Sequence, residues 1–121
     1  MRSESPLLSR TRAFAIAIAK LIELVPDTIQ GRVIANQLMR SATSTAANYR
    51  AARRARSDAE FVAKIGVVLE EIDESELWLD FLAELGFCKE PEIKQLRREA
   101  NELAAMSFAA RKTVLRKTTN A

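Results

Sequence analysis

The sequence predicts an all-α protein, an antiparallel up-down-up-down four-helix bundle. Three observations carry that expectation. Apolar residues recur at alternating steps of three and four along four long segments, the helical repeat rather than the two-residue repeat of strands. Helix-starting and helix-stopping residues fall at the joins between those segments. The 121 residues include only three glycines and three prolines, against 48% apolar and 29% charged residues. Such a composition favours packed helices over disorder or a loop-rich β fold. One domain spanning residues 1–121 is the natural size for such a core.

The first helix is expected over residues 6–25, with Ser5 as its cap and Pro6 at its first position. Leu7, Thr11, Phe14, Ile18, Leu21 and Val25 form its inward stripe, and Pro26 ends it. The second helix, over 28–53, turns Leu38, Ala42, Thr45, Tyr49 and Ala52 inward, and Gly31 weakens its first turn. Small residues between Ser41 and Ala47 give that helix a thin side that a neighbour can approach closely. The third, over 58–85, begins at the capping box Ser57-Asp58-Ala59-Glu60 and stops at Gly86. It carries two apolar stripes, one of Phe61, Ile65, Val68, Leu69, Ile72 and Leu79, the other of Val67, Trp78, Leu82 and Leu85. A helix apolar on that much of its circumference needs a second partner, so Val67, Trp78, Leu82 and Leu85 are expected at a contact between subunits. The fourth helix, over 91–117, starts at Pro91 and packs through Ile93, Leu96, Ala100, Leu103, Ala104, Ser107 and Val114. The tail from Thr118 to Ala121 is expected to fray.

Charge is segregated along the chain. Residues 1–56 hold ten basic and three acidic side chains, residues 57–86 one and nine, and residues 87–121 eight and four. Between Thr28 and Ser57 lie six arginines and no acid, so no i,i+4 partner can neutralise them within their own helix. At roughly 100° per residue, Arg32, Arg40, Arg50 and Arg54 fall on one face, with Arg53 beside them. Lys94, Arg98, Lys112 and Arg116 repeat the pattern on the fourth helix. These nine cations are the candidate nucleic-acid-binding residues, since a clustered basic face releases counterions when it meets phosphate. The same face could instead serve the acidic third helix of a neighbouring subunit. With no base-reading motif and few aromatics, binding is expected to ignore sequence and to lack stacking platforms.

Asn48 and Glu76 stand on the flanks of apolar stripes, where they are expected to pair in a buried structural network. Histidine is absent and Cys88 is the single cysteine, which removes an internal disulfide, the common zinc and haem ligand sets and histidine-based acid–base chemistry. Catalytic residues, metals and cofactors are therefore none on this reading. One remote alternative is a magnesium-dependent all-α nucleotide pyrophosphohydrolase, with Glu71 and Glu74 facing Glu99 and Glu102. A di-iron site fails for want of histidine. No apolar run reaches membrane-spanning length and no secretory h-region opens the chain, so a cytoplasmic, membrane-free protein is expected.

The Val25-Pro26 pair, the run from Gln37 to Phe61 and the run from Ile65 to Gly86 together resemble the four-helix bundle family of bacterial ribosomal-RNA intervening-sequence proteins. The matching positions are Gln37, Leu38, Arg40, Ser41, Asn48, Arg56, Ser57, Glu60, Phe61, Leu69, Glu70, Glu71, Glu76 and Gly86, within residues 10–90. Where relatives commonly carry Asn-Ile-Ala-Glu-Gly, this chain reads Asn48-Tyr49-Arg50-Ala51-Ala52. The chain is also similar to the accessory variability proteins of diversity-generating retroelements. These resemblances imply a homopentamer, RNA or DNA as a ligand, and a protein partner such as a reverse transcriptase; they bring no catalytic residues.

Overall fold

The computed structural model describes residues 5–119. Its elements are α1 (Pro6–Leu21), a 3-10 turn at Ile22–Leu24, α2 (Ile29–Arg53), α3 (Asp58–Glu84) and α4 (Glu90–Thr119), with no strand among the described residues. The starts are built as the sequence suggests. Ser5 Oγ accepts from the Leu7 amide at 3.1 Å, Thr28 Oγ1 from Gly31 at 3.0 Å, and Ser57 Oγ from Glu60 at 3.1 Å. Each satisfies one of the amides that a helix N-terminus leaves without a carbonyl. Asp58 and Glu60 add negative charge to the first turn of α3.

Five boundaries differ in detail, the start of α2 and the end of α3 by a single residue each. The residue before a proline is held extended, and Val25 sits at φ −74 and ψ 133. The α-helix therefore ends at Leu21 and tightens into the 3-10 turn instead of running to Val25. α4 begins at Glu90, one residue ahead of Pro91, and continues through Thr119 where fraying was expected; residues 120–121 lie outside the described part. Gly31 is also more than a weak point. A Cβ there would collide with the Pro26 carbonyl oxygen and press on Val25, so the glycine lets the chain fold back closely at the start of α2. Gly86 takes φ +70 and closes α3 with Phe87 N–H donating to Leu82 O at 2.9 Å and Gly86 N–H to Ala83 O at 3.1 Å. This is the Schellman arrangement.

α1 packs against α2 and α4, and α3 packs against the same two, so α2 and α4 stand at opposite corners of a square. Phe14, Ile18, Leu38, Ile65, Val68, Ile72, Leu79, Leu82, Ile93 and Leu103 fill the centre and are at most 1% exposed. Each such side chain contributes about 1.5–3 kcal/mol relative to leaving it in water. All five residues expected to face inward from α2 are buried. Val25, Leu69, Leu96, Ala104 and Val114 are half-buried at the margin of the core.

Polar bonds fix the registers. Ser41 Oγ and Ser75 Oγ meet at 2.8 Å inside the α2–α3 contact, one hydroxyl donating to the other while the accepting serine gives its own proton to a carbonyl of its helix, Leu38 O for Ser41 or Glu71 O for Ser75. One donor-acceptor bridge thus joins two helices without an unmet hydroxyl. Arg97 donates to Asp80 at 2.7 Å across α3 and α4, and Arg10 to Glu99 at 3.0 Å across α1 and α4. α1 has 16 residues against 25, 27 and 30 for the others. With Arg10 level with Glu99 and Met106, α4 runs on well past Pro6.

Candidate nucleic-acid interface

The arginine face of α2 forms as expected, but its members have different surroundings. Arg40 reaches across to α3, donating to Glu71 at 3.1 Å and to Glu74, so the absence of acids on α2 does not leave it unneutralised. The two carboxylates raise the Arg40 guanidinium further above its usual range, Glu74 most, and Arg40 in turn holds Glu74 below the ordinary carboxylate value. Arg32 turns back to Asp27 at 2.7 Å in an exposed pair of little energetic weight. Arg50 and Arg54 are exposed with no carboxylate within ion-pair distance among the described residues, and Arg53 is half-buried beside them.

On α4 the four expected cations, Lys94, Arg98, Lys112 and Arg116, are all exposed and none has an acidic partner among the described residues. Arg98 also lines a mixed groove between α1 and α4, together with Ala13, Ala17, Leu96, Lys20 and the acids Glu92, Glu99 and Glu102. The diagonal placement of α2 and α4 separates the two basic faces along the flanks of the bundle. At one end they come closer. α2 finishes there, α3 starts there, and α4 finishes there, so Arg50, Arg54 and Arg56 share that end with Lys112, Arg116 and Lys117. From Leu103 to Thr119 α4 carries no acid, and neither does α3 from Phe61 to Leu69. The result is an end where cations outnumber Asp58 and Glu60 of the first α3 turn, and an acid-rich middle.

The structure does not bring Asn48 and Glu76 together. Asn48 Nδ2 donates within its own helix to Ser44 O at 2.9 Å and Ser44 Oγ at 3.0 Å. The Ser41–Ser75 register puts Glu76 level with residue 40, about 12 Å along the axis from Asn48 at 1.5 Å per residue. Glu76 lies half-buried, and no side chain among the described residues donates to it. Burial, reinforced by Asp73 and Asp80, pushes its carboxyl above the usual range. The inter-helix polar link is Ser41–Ser75 instead. Two serines 34 residues apart in sequence carry no signal of pairing until the register is known.

The second apolar stripe of α3 also divides. Leu82 is 0% exposed and belongs to the protomer's own core, against which Phe87 also packs, so it cannot meet another subunit. Val67, Trp78 and Leu85 remain at the surface or half-exposed, joined by Leu77 and Phe81, which the sequence reading missed. The Trp78 and Phe81 rings lie 5.6 Å apart, and Trp78 Nε1 donates to Glu74 at 3.4 Å.

The four glutamates of the magnesium alternative do not face one another. Glu71 and Glu74 engage Arg40 on the α2–α3 side, while Glu99 and Glu102 engage Arg10 on the opposite α1–α4 side. No group of three potential metal ligands occurs among the described residues. Burial and Glu92 push the Cys88 thiol up, away from a reactive thiolate. No described helix is long and apolar enough to cross a membrane.

The family model for 23S rRNA-intervening sequence proteins matches residues 4–109, nearly the whole bundle. The chain belongs to that family. Among solved structures, a protein of unknown function of the S23 ribosomal protein family from Bacteroides thetaiotaomicron is similar at 26% identity and a TM-score of 0.82. That likeness covers 88% of this chain and 98% of the Bacteroides protein. No curated protein matches. The intervening-sequence family member described here thus shares its four-helix architecture with a crystallographically known relative, while its distribution of charge is read from its own residues.

Proposed function

We propose that this intervening-sequence family protein is a non-enzymatic, cytoplasmic nucleic-acid-binding bundle that works as a homo-oligomer. The observation that carries the reading is the basic end, where Arg50, Arg54, Arg56, Lys112, Arg116 and Lys117 are exposed, no acid lies in α3 from Phe61 to Leu69 or in α4 from Leu103 to Thr119, and Asp58 and Glu60 in the first turn of α3 offset only part of the charge. Phosphate is the ligand chemistry that such a surface favours, with RNA as the preferred polymer and no dependence on sequence. Arg32, Arg40, Lys94 and Arg98 contribute less: the first two already have carboxylates, and the last two sit toward the opposite end. Support for self-association comes from the apolar surface of Trp78, Leu77, Phe81 and Leu85, with Leu77 49% and Leu85 48% exposed. Five subunits are the number that the family resemblance implies.

A second reading, a structural or protein-interaction module, is favoured by the neutralised Arg40 and by the same apolar surface. Gel-shift titration of an RNA over a series of salt concentrations, combined with light scattering, separates the two. The proposal expects a particle of five 13.5 kDa protomers whose RNA affinity falls steeply with salt. Salt-insensitive or absent binding by an intact oligomer favours the module reading; a monomeric mass removes the self-association.

A further inference from the structure

Phe108 on α4 is 58% exposed, while its neighbour Ser107 is fully enclosed. A shallow depression brings the ring together with Ala109, Arg111, Lys112 and Leu115. The stretch of α4 around it, Leu103 to Thr119, holds four basic residues and no acidic one. Counting from the Asp80–Arg97 bond places Phe108 level with Leu69 of α3 and within a turn of Gly66. Over Gly66 an added Cβ would meet nothing within 4 Å, so no side chain of the protomer covers that point of α3. Arg111 is half-buried beneath the depression, its Nε–H enclosed without an acceptor.

We infer that this depression receives an unpaired base of a single-stranded nucleic acid, stacked on the Phe108 ring, with the adjoining phosphates held by Arg111, Lys112 and Arg116. The inference rests on the nucleic-acid reading above, adds to it a preference for strand over duplex, and replaces the expectation that stacking platforms are lacking with one exposed ring. Cations alone read phosphate in either form. A ring reads only a base face that is free, and in a duplex those faces are covered by neighbouring pairs. The alternative occupant, a helix of a second copy, would bury the same ring but give no discrimination between the two nucleic acids.

Fluorescence anisotropy of a labelled short oligouridine and of an RNA duplex of equal length, each over a salt series, tests the site. The parent should bind the single strand more tightly. Phe108→Ala should weaken single-strand binding by about 5- to 100-fold and leave duplex affinity and both salt slopes unchanged. Phe108→Trp should retain single-strand binding, and Arg116→Ala should weaken both ligands. Because Phe108 is exposed, an unchanged melting temperature is expected to show that the variant folds. Equal affinity of the parent for both ligands, or a Phe108→Ala variant that binds single strands as the parent does, overturns the stacking site while leaving the phosphate reading in place. A lowered oligomer mass with unchanged single-strand affinity assigns the face to a second copy and also overturns it. If the parent binds neither ligand in a salt-sensitive way, the nucleic-acid reading itself fails and the stacking site fails with it.

Discussion

The two halves of α2 present arginines on the same helical face and meet opposite environments. In the first half Arg32 has Asp27 and Arg40 has Glu71 and Glu74. In the second, Arg50 and Arg54 have no such partner among the described residues. The difference does not arise on α2. It comes from the antiparallel register with α3, which sets Arg40 beside the acid-rich stretch from Glu70 to Glu76 and sets Arg50 level with residues 62–66, where no acid occurs. A basic stripe read from one helix is therefore not yet a basic surface; the neighbour's sequence at the same height decides.

Grafting acids into the bare stretch should erase that difference. The pair Ala63→Glu and Lys64→Glu, both near the height of Arg50, is expected to lower RNA affinity at least ~10-fold at moderate salt while leaving the helical circular-dichroism signal intact. Unchanged affinity would mean that the end of the bundle is not where phosphate binds.

The acid-rich half can be sharpened through its polar bridge. Ser75→Ala removes one hydroxyl from the Ser41–Ser75 pair and should cost about 1–2 kcal/mol in urea unfolding, as expected for a buried hydrogen bond. Adding Ser41→Ala should cost less than a second equal increment, because the two hydroxyls act on one another. Strict additivity would show that the bridge contributes nothing to the register.

The bare half contains a glycine that its own packing does not require. Gly66→Ala should stabilise α3 by roughly 0.5–1 kcal/mol, since alanine is the better helix former and its methyl meets open space. By contrast Gly31→Ala should destabilise, because the added Cβ strikes Pro26 O. A thermal melt that ranks the two variants the other way would contradict the placement of both residues.

The smallest effect concerns Glu76. Its carboxyl lies above the usual range in the folded state, so the protonated form is favoured by folding and the charged form is penalised. Glu76→Gln should therefore raise stability slightly at pH 7. The gain should shrink as pH falls through the folded value and vanish below the unfolded one, near 4.5, where the parent is protonated in both states. A loss of stability at neutral pH would restore a binding partner to Glu76.

The architecture was legible because its signals are local. Pro6, Ser57, Gly86 and the three-and-four spacing each act within a turn or two, and the helices appear where those residues place them. The candidate site was legible only in part. Arg50, Arg54, Lys112 and Arg116 emerge as exposed cations, whereas the capture of Arg40 by Glu71 and Glu74 and the Ser41–Ser75 bridge depend on register between helices, which periodicity does not supply. Leu82 shows the same gap: its angular position matches Trp78 and Leu85, but the protomer's own core encloses it. Phe108 did leave a trace in the sequence, as a large aromatic beside the inward stripe of Ser107 and Val114 rather than in it.

The most direct test of the central claim, that the basic end and not the acid-paired flank engages nucleic acid, is the salt slope of RNA binding in two sets of variants. Arg50→Ala, Arg54→Ala, Lys112→Ala and Arg116→Ala together should weaken binding and reduce the slope of log affinity against log salt by up to ~4 units. Arg32→Ala with Arg40→Ala should leave that slope nearly unchanged, because those guanidiniums already face carboxylates. The account is contradicted if the second pair flattens the slope as much per charge as the first four, or if the first four change nothing.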